Sequence, residues 1–252
     1  MPVRGLAVPA VLTAVLLSGC GAVASGSEPP PPPPRHSSGT PAAPASKAPV
    51  VTYPEAGDGK FAAATAERAS DAPGTMLRYR VLVEKDITGI SPGTFAGTVQ
   101  ATLADPRGWT AGGERSFRRV EGRQPYDFTI YLVTPGTRDD LCQDVPDGYT
   151  SCRNGDKVVL NVARWVKGVP GYGAPLSVYR QYMVNHEVGH RLGNGHERCP
   201  GQGRPAPIMQ QQTLGLHGCK ANPWPYRDGQ RYTGSSGVYD DRMPPRDRGS
   251  RG

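Results

Sequence analysis

From Met76 onward apolar side chains recur with a period of two, Leu77, Tyr79, Val81 and Val83 being interleaved with Arg78, Arg80, Leu82 and Glu84. That is the pattern of a strand with one buried face. A helix is predicted next: Ser91 and Pro92 supply a start signal, Phe95, Val99 and Leu103 recur at helical spacing, and Pro106 stops the run. Residues 116–120 and 127–133 read as two further strands, the second with Phe128, Ile130 and Leu132 on one face. A hairpin-like turn at Asn154-Gly155 leads into another strand over 157–161. Pro175 then opens a stretch free of proline and glycine up to Gly189, so 176–192 are predicted as a helix of about four to five turns that the chain leaves at Gly193. Gly189 costs this helix about 1 kcal/mol against alanine, and a small residue there permits close backbone packing.

Composition sets the limits of this folded region. Proline and small polar residues crowd the segment before Tyr53, and charged or glycine residues crowd the last stretch, so the apolar residues of a core lie between them and one domain over 51–233 is expected. Residues 20–50, with the run Pro29 to Pro34, read as a disordered linker that in polyproline form reaches at most roughly 90 Å. Residues 234–252 read as a disordered basic tail, whose Arg242, Arg246, Arg248 and Arg251 are most simply solvating. At the other end Arg4 precedes an apolar stretch, 5–17, too short to span a bilayer, which marks 1–19 as an export signal. It closes on Leu17-Ser18-Gly19-Cys20, which resembles the bacterial lipobox. The resemblance implies lipidation of Cys20 and an extracytoplasmic protein anchored to the cell membrane as a lipoprotein.

Removing Cys20 from five cysteines leaves Cys142, Cys152, Cys199 and Cys219, an even number in a compartment that permits disulfides. Three connectivities are possible, and the two local pairings, Cys142 with Cys152 and Cys199 with Cys219, are favoured. Each is worth about 3 kcal/mol in the loop-entropy model. A four-cysteine zinc site lacks the short paired spacing such sites use. The net charge of +7 suits an anionic partner, yet no nucleic-acid-binding motif is present and export argues against DNA. No nucleic-acid partner is expected, and the protein is expected to be a monomer.

The chemistry concentrates in His186-Glu187-Val188-Gly189-His190. Histidines four apart on a helix stand about 6 Å apart along its axis with side chains pointing the same way, so both can bind one ion. Zinc needs bonds of roughly 2.0–2.1 Å in tetrahedral geometry, which leaves two positions to fill. Gly193 and Asn194-Gly195 bend the chain so that His196 can return as the third ligand, and water takes the fourth position. A carboxylate at Glu187 can act as general base on that water. The short motif arises by chance in about one chain in a hundred of this length, and adding Gly193 and His196 cuts that by several hundredfold.

His186-Glu187-x-x-His190-x-x-Gly193-x-x-His196, followed by Pro207-Ile208-Met209, resembles the metzincin zinc peptidases with their extended zinc motif and Met-turn. The likeness covers about 181–209. It implies a zincin-like α+β fold with a mixed sheet and an active-site helix, His186, His190 and His196 as zinc ligands, Glu187 as general base, and Met209 as the apolar floor beneath the metal. Gln211 stands where some metzincins place a tyrosine that touches the zinc, and Asn194 departs from the astacin branch, so no subfamily is implied. No pro-segment cysteine is available to hold the site latent. A longer stretch, from about residue 77 to 226, resembles a domain of unknown function in exported actinobacterial proteins, a likeness that implies lineage rather than activity.

The expectation is a zinc-dependent metallopeptidase acting on protein or cell-wall peptide substrates. Two alternatives share its motif: a zinc amidase of wall peptides, and a non-catalytic scaffold lipoprotein that keeps zinc for structure. The scaffold would close the fourth position with a protein group such as His217, Glu197 or Asp228. A bridge between Cys199 and Cys219 would staple the segment carrying Met209, while Trp224, Pro225 and Tyr226 are expected to pack a loop over the core.

Overall fold

The strand signals converge on one sheet. In a computed structural model that describes residues 49–68 and 73–250, its members are β2 (Phe61–Ala63), β3 (Thr75–Glu84), β4 (Arg115–Arg119), β5 (Phe128–Val133), β6 (Cys152–Asn154) and β7 (Lys157–Asn161). The order is β2-β3-β5-β7-β6, and β4 pairs with β3 outside this path. β3 is long enough to serve two partners in turn, its residues 75–79 lying parallel to β4 and 79–83 parallel to β5. β7 continues the parallel set, while β2 and β6 close the two ends antiparallel. The sheet is therefore mixed and the fold is α+β. β6 and β7 form the hairpin announced by Asn154-Gly155, with Gly155 at φ 58°.

Pleating sends alternate residues to opposite faces. Val81, Ile130 and Val158 align in register, as do Val83, Leu132 and Leu160, and all are buried in the main core. The helices α1 (Pro92–Leu103), α3 (Val162–Lys167) and α4 (Leu176–Arg191) contribute Phe95, Val99, Trp165, Tyr179 and Val184 to that core. On the other face Val133, Val159 and Cys142 form a small cluster under α2 (Pro135–Cys142). β5 and β7, buried on both faces, read as near-continuous apolar runs, as central parallel strands do.

α1 starts as its sequence indicates, the Ser91 side chain accepting a hydrogen bond from Thr94 N at 3.0 Å with Pro92 in the first turn. α2 and α3 were not signalled by periodicity. α3 begins where β7 ends, capped by Asn161, whose side chain accepts from Ala163 N at 2.9 Å. Both disulfides take the local pairing, with Cα–Cα distances of 6.0 Å for Cys142–Cys152 and 5.8 Å for Cys199–Cys219.

The C-terminal stretch departs from expectation. Residues 234–250 do not form a disordered tail: β10 (Gly249–Ser250) pairs antiparallel with β1 (Tyr53–Pro54), and Arg246 and Arg248 pair with Asp139 and Glu55. Acids distant in sequence pair with these arginines: Arg246 is drawn partly out of water, which composition alone did not indicate, whereas Arg248 and Arg242 stay exposed, as it did. β8 (Tyr226–Arg227) and β9 (Gln230–Arg231) form a minimal hairpin. The export signal, Cys20 and the linker up to residue 48 lie outside the described residues. Among the described residues no helix is long and apolar enough to cross a membrane.

Candidate metal centre and cleft

α4 carries the first two histidines in its last turns, where the helix is buried from Tyr182 to Gly189. It can sink this deep because Gly189 has no side chain. A Cβ there would stand 2.4 Å from Met209 Sδ and 2.7 Å from Trp109 Cζ2. After Leu192 the chain turns at Gly193, φ 90°, and both Asn194 N and Asn194 Nδ2 bond back to Gly189 O at 3.0 Å. This exit brings His196 against the helix. The ligand-capable nitrogens of His186, His190 and His196 all lie within 4.8 Å of one another.

The contacts among the rings identify the kind of partner they fit. His186 Nδ1 lies 2.8 Å from Ile208 O and His190 Nδ1 lies 2.9 Å from Asn194 O. A carbonyl only accepts, so each Nδ1 carries the hydrogen, and in the neutral ring each Nε2 presents a lone pair. Yet His186 Nε2 and His190 Nε2 approach to 3.2 Å, and His190 Nε2 and His196 Nε2 to 3.1 Å. The first approach sets lone pair against lone pair and is repulsive unless a cation draws both. Two nitrogens bound to one tetrahedral zinc stand roughly 3.3–3.4 Å apart, close to these separations. Burial also favours the neutral, ligating form, lowering His186 well below the usual imidazole value, lowering His190, and taking His196 to about 4. The donor set and its spacing fit a zinc ion.

Glu187 is 6% exposed, and its Oε2 is buried without a hydrogen-bond partner. Burial pushes its carboxyl up to about 8, against the pull of the Arg138 charge. Glu187 and the three histidines line one cavity of about 740 Å³. Its walls include Asp144, Pro146, Asp147 and Arg153 on one bank, Gln211, Thr213 and Leu214 on the other, and Met243 and Pro244 from the C-terminal stretch.

Met209 is fully buried behind Gly189, in a tight turn closed by Gln210 N donating to Pro207 O at 3.0 Å. Ile208 of the same turn holds His186, and Met209 O accepts from Glu197 N at 3.1 Å, tying the turn to the residue after His196. The groups that could have closed the fourth position are engaged elsewhere. His217 lies 2.9 Å from Asp241 Oδ2, Glu197 faces Arg231 at 3.3 Å, and Asp228 lines a separate cavity. Among the described residues none of them joins the histidine cluster. Trp224 is buried beneath the Arg107 guanidinium, packing a loop as expected.

Several residues of the site had no signal in the sequence. Tyr182 lies against His186 with ring centroids 5.2 Å apart and donates its hydroxyl to Gln210 O at 3.1 Å. Arg138 is buried under the cleft wall, where it grips both carboxylate oxygens of Asp144 at 2.8 and 3.0 Å and lies 3.4 Å from Asp147. An arginine in a polar octapeptide reads as surface, and only the acids folded around it make it structural. The other close group of potential ligands, Cys142, Asp144 and Cys152, contains a disulfide whose sulfurs are bridged and offer no thiolate.

No curated protein and no solved structure matches the chain. A family model described as "Protein of unknown function (DUF3152)" matches residues 48–219, a span that holds the three histidines, Glu187, Met209 and both disulfides. The chain belongs to the DUF3152 family.

Proposed function

We propose that this protein is a metzincin-like zinc peptidase, exported and held at the outer face of the cell membrane by a lipid on Cys20. The observation that carries the reading is the convergence of three imidazole nitrogens, two of them fixed by backbone carbonyls, beside an unpartnered buried carboxylate in an open cavity. His186, His190 and His196 would hold the metal. Ile208 O and Asn194 O orient the first two rings and keep their Nε2 atoms free to ligate. Bound zinc would supply a Lewis acid that polarises the scissile carbonyl and makes a water acidic near neutral pH. Glu187 receives the proton from the attacking water and passes it to the leaving amine, a role its lack of any other partner leaves open. Met209 positions rather than reacts, packing under Gly189 so that the helix and the turn keep their spacing.

The full chain should bind about one zinc. Glu187→Ala should keep that zinc and lose at least about a hundredfold in peptide hydrolysis, the scale of general acid–base catalysis. Digesting protein and muropeptide substrates side by side separates a peptidase from a wall amidase. Wild-type protein that folds but takes up no zinc would sink the reading, and zinc with no hydrolysis of either substrate would favour the scaffold.

A further inference from the structure

Residues 238–250 take no part in the chemistry above, yet they run from one bank of the cavity to the other. Their first part is fixed near the third histidine. Arg198 Nε donates to Val238 O at 2.9 Å, the Tyr239 hydroxyl accepts from Cys199 N at 3.1 Å, and the Tyr239 ring stacks on His217 at 3.6 Å. Asp241 Oδ2 completes this anchorage 2.9 Å from His217 Nε2. The last part is fixed to the sheet side. Arg246 pairs with Asp139, Asp247 holds Lys167 at 2.8 Å and Arg164 at 3.2 Å, and Asp247 N donates to Gly148 O at 3.3 Å. Arg248 pairs with Glu55 at 3.0 Å, and β10 closes on β1. Between the two anchorages residues 242–245 make no hydrogen bond among the described residues, and there Met243 and Pro244 line the cavity of His186, Glu187, His190 and His196.

We propose that residues 238–250 are a strap that restricts entry of polypeptide to the cleft and opens by undocking of its charged end. The proposal rests on reading the histidine cluster as a working site. The composition of the span suits a segment that must lie in a peptidase cleft without being consumed. Pro244 and Pro245 have no amide N–H, so the span cannot pair as an added strand along a cleft edge, as an extended substrate would. The nitrogen that would leave on cleavage at Met243–Pro244 or Pro244–Pro245 is a ring nitrogen. The two ends differ in kind. Aromatic stacking and backbone bonds next to a disulfide hold the first, whereas the second adds to its pairing with β1 a run of ion pairs, of which Lys167–Asp247, Arg246–Asp139 and Arg248–Glu55 are partly open to solvent and so to screening by salt. Residues 242–245, free of hydrogen bonds among the described residues, lie between the fixed first part and the charged end, where a hinge would be needed.

The test compares the full wild-type chain with Arg246→Glu/Asp247→Asn. In metal-free protein, labelling of His190 and His196 by diethyl pyrocarbonate should run about tenfold faster in the variant, the factor expected from losing two or three partly buried ion pairs. In zinc-loaded protein, hydrolysis of a mixed peptide library should rise in parallel. Equal labelling rates overturn the strap. Faster labelling with no hydrolysis by either protein upholds the strap and removes the peptidase reading. If the variant does not fold, the wild type labelled in about 0.05 M and 1 M salt replaces it, because screening should loosen the charged end. An unchanged rate there overturns the proposal as well.

Discussion

The histidines come from two regions built by different physics. Up to Arg191 the molecule is held by burial: β3, β5, β7 and the helices beside them close Val81, Ile130, Leu132, Val158, Phe95 and Val99 away from water. Beyond that point, among the described residues, there is no helix and there are only strands of two residues. Amide side chains do much of the work instead. Gln212 Nε2 donates to Asn222 O at 2.8 Å, and Asn222 Nδ2 donates to Ala206 O at 2.9 Å and Trp224 O at 3.0 Å. Such groups are stabilising only when satisfied, and they specify one loop conformation where a greasy loop would accept many. Two histidines that share a helix are placed by its pitch. The third histidine, and the turn of Ile208 and Met209 that packs behind the helix, depend on this second and more brittle kind of construction.

Three variants probe that contrast. Ile130→Ala, in the centre of the buried sheet, should cost about 2–5 kcal/mol in chemical denaturation and lower the stability of both regions together. If the second region melted separately, the two would be independent. Cys199→Ser with Cys219→Ser opens a loop of sequence separation 20 and should cost about 3 kcal/mol. Here the damage should be local, with zinc affinity falling by calorimetry because His196 loses its support while the sheet core is intact. Unchanged affinity would assign that support to the amide network alone. Gly189→Ala tests the seam itself. Crowding Met209 and Trp109 costs about 1–3 kcal/mol and the better helix former returns about 1, so a thermal melt should show a net loss. A gain would mean that the two regions touch more softly than their distances imply.

What could be read from the sequence follows the same division. β3, α1 and α4 were legible because burial against one face forces a period on the residues, β5 and β7 because burial on both faces leaves near-continuous apolar runs, and Ser91, Asn154-Gly155 and Gly193 announced ends and turns through backbone chemistry. The approach of His186 and His190 was legible because helical pitch turns a spacing of four into proximity. α2 was not, since its eight residues are mostly polar and short of a period, and the burial of Arg138 comes from meeting Asp139 and the Asp144 of the following loop. The C-terminal stretch was misread for a related reason. Arg246 finds Asp139 and Arg248 finds Glu55 across more than a hundred residues of chain, and no local pattern carries that information.

The pairing of β10 with β1 joins Ser250 to Tyr53 across 197 residues, and it fixes an order of events. A chain that emerges N-terminus first can complete its sheet, seat α4 and bring the three imidazoles together before residue 250 exists to be paired. Closing so long a loop is also the slowest kind of contact to form, and it gains little until the rest is in place. The mouth of the cavity is therefore finished last, so any ion that the histidines capture during folding can enter while the doorway still stands open.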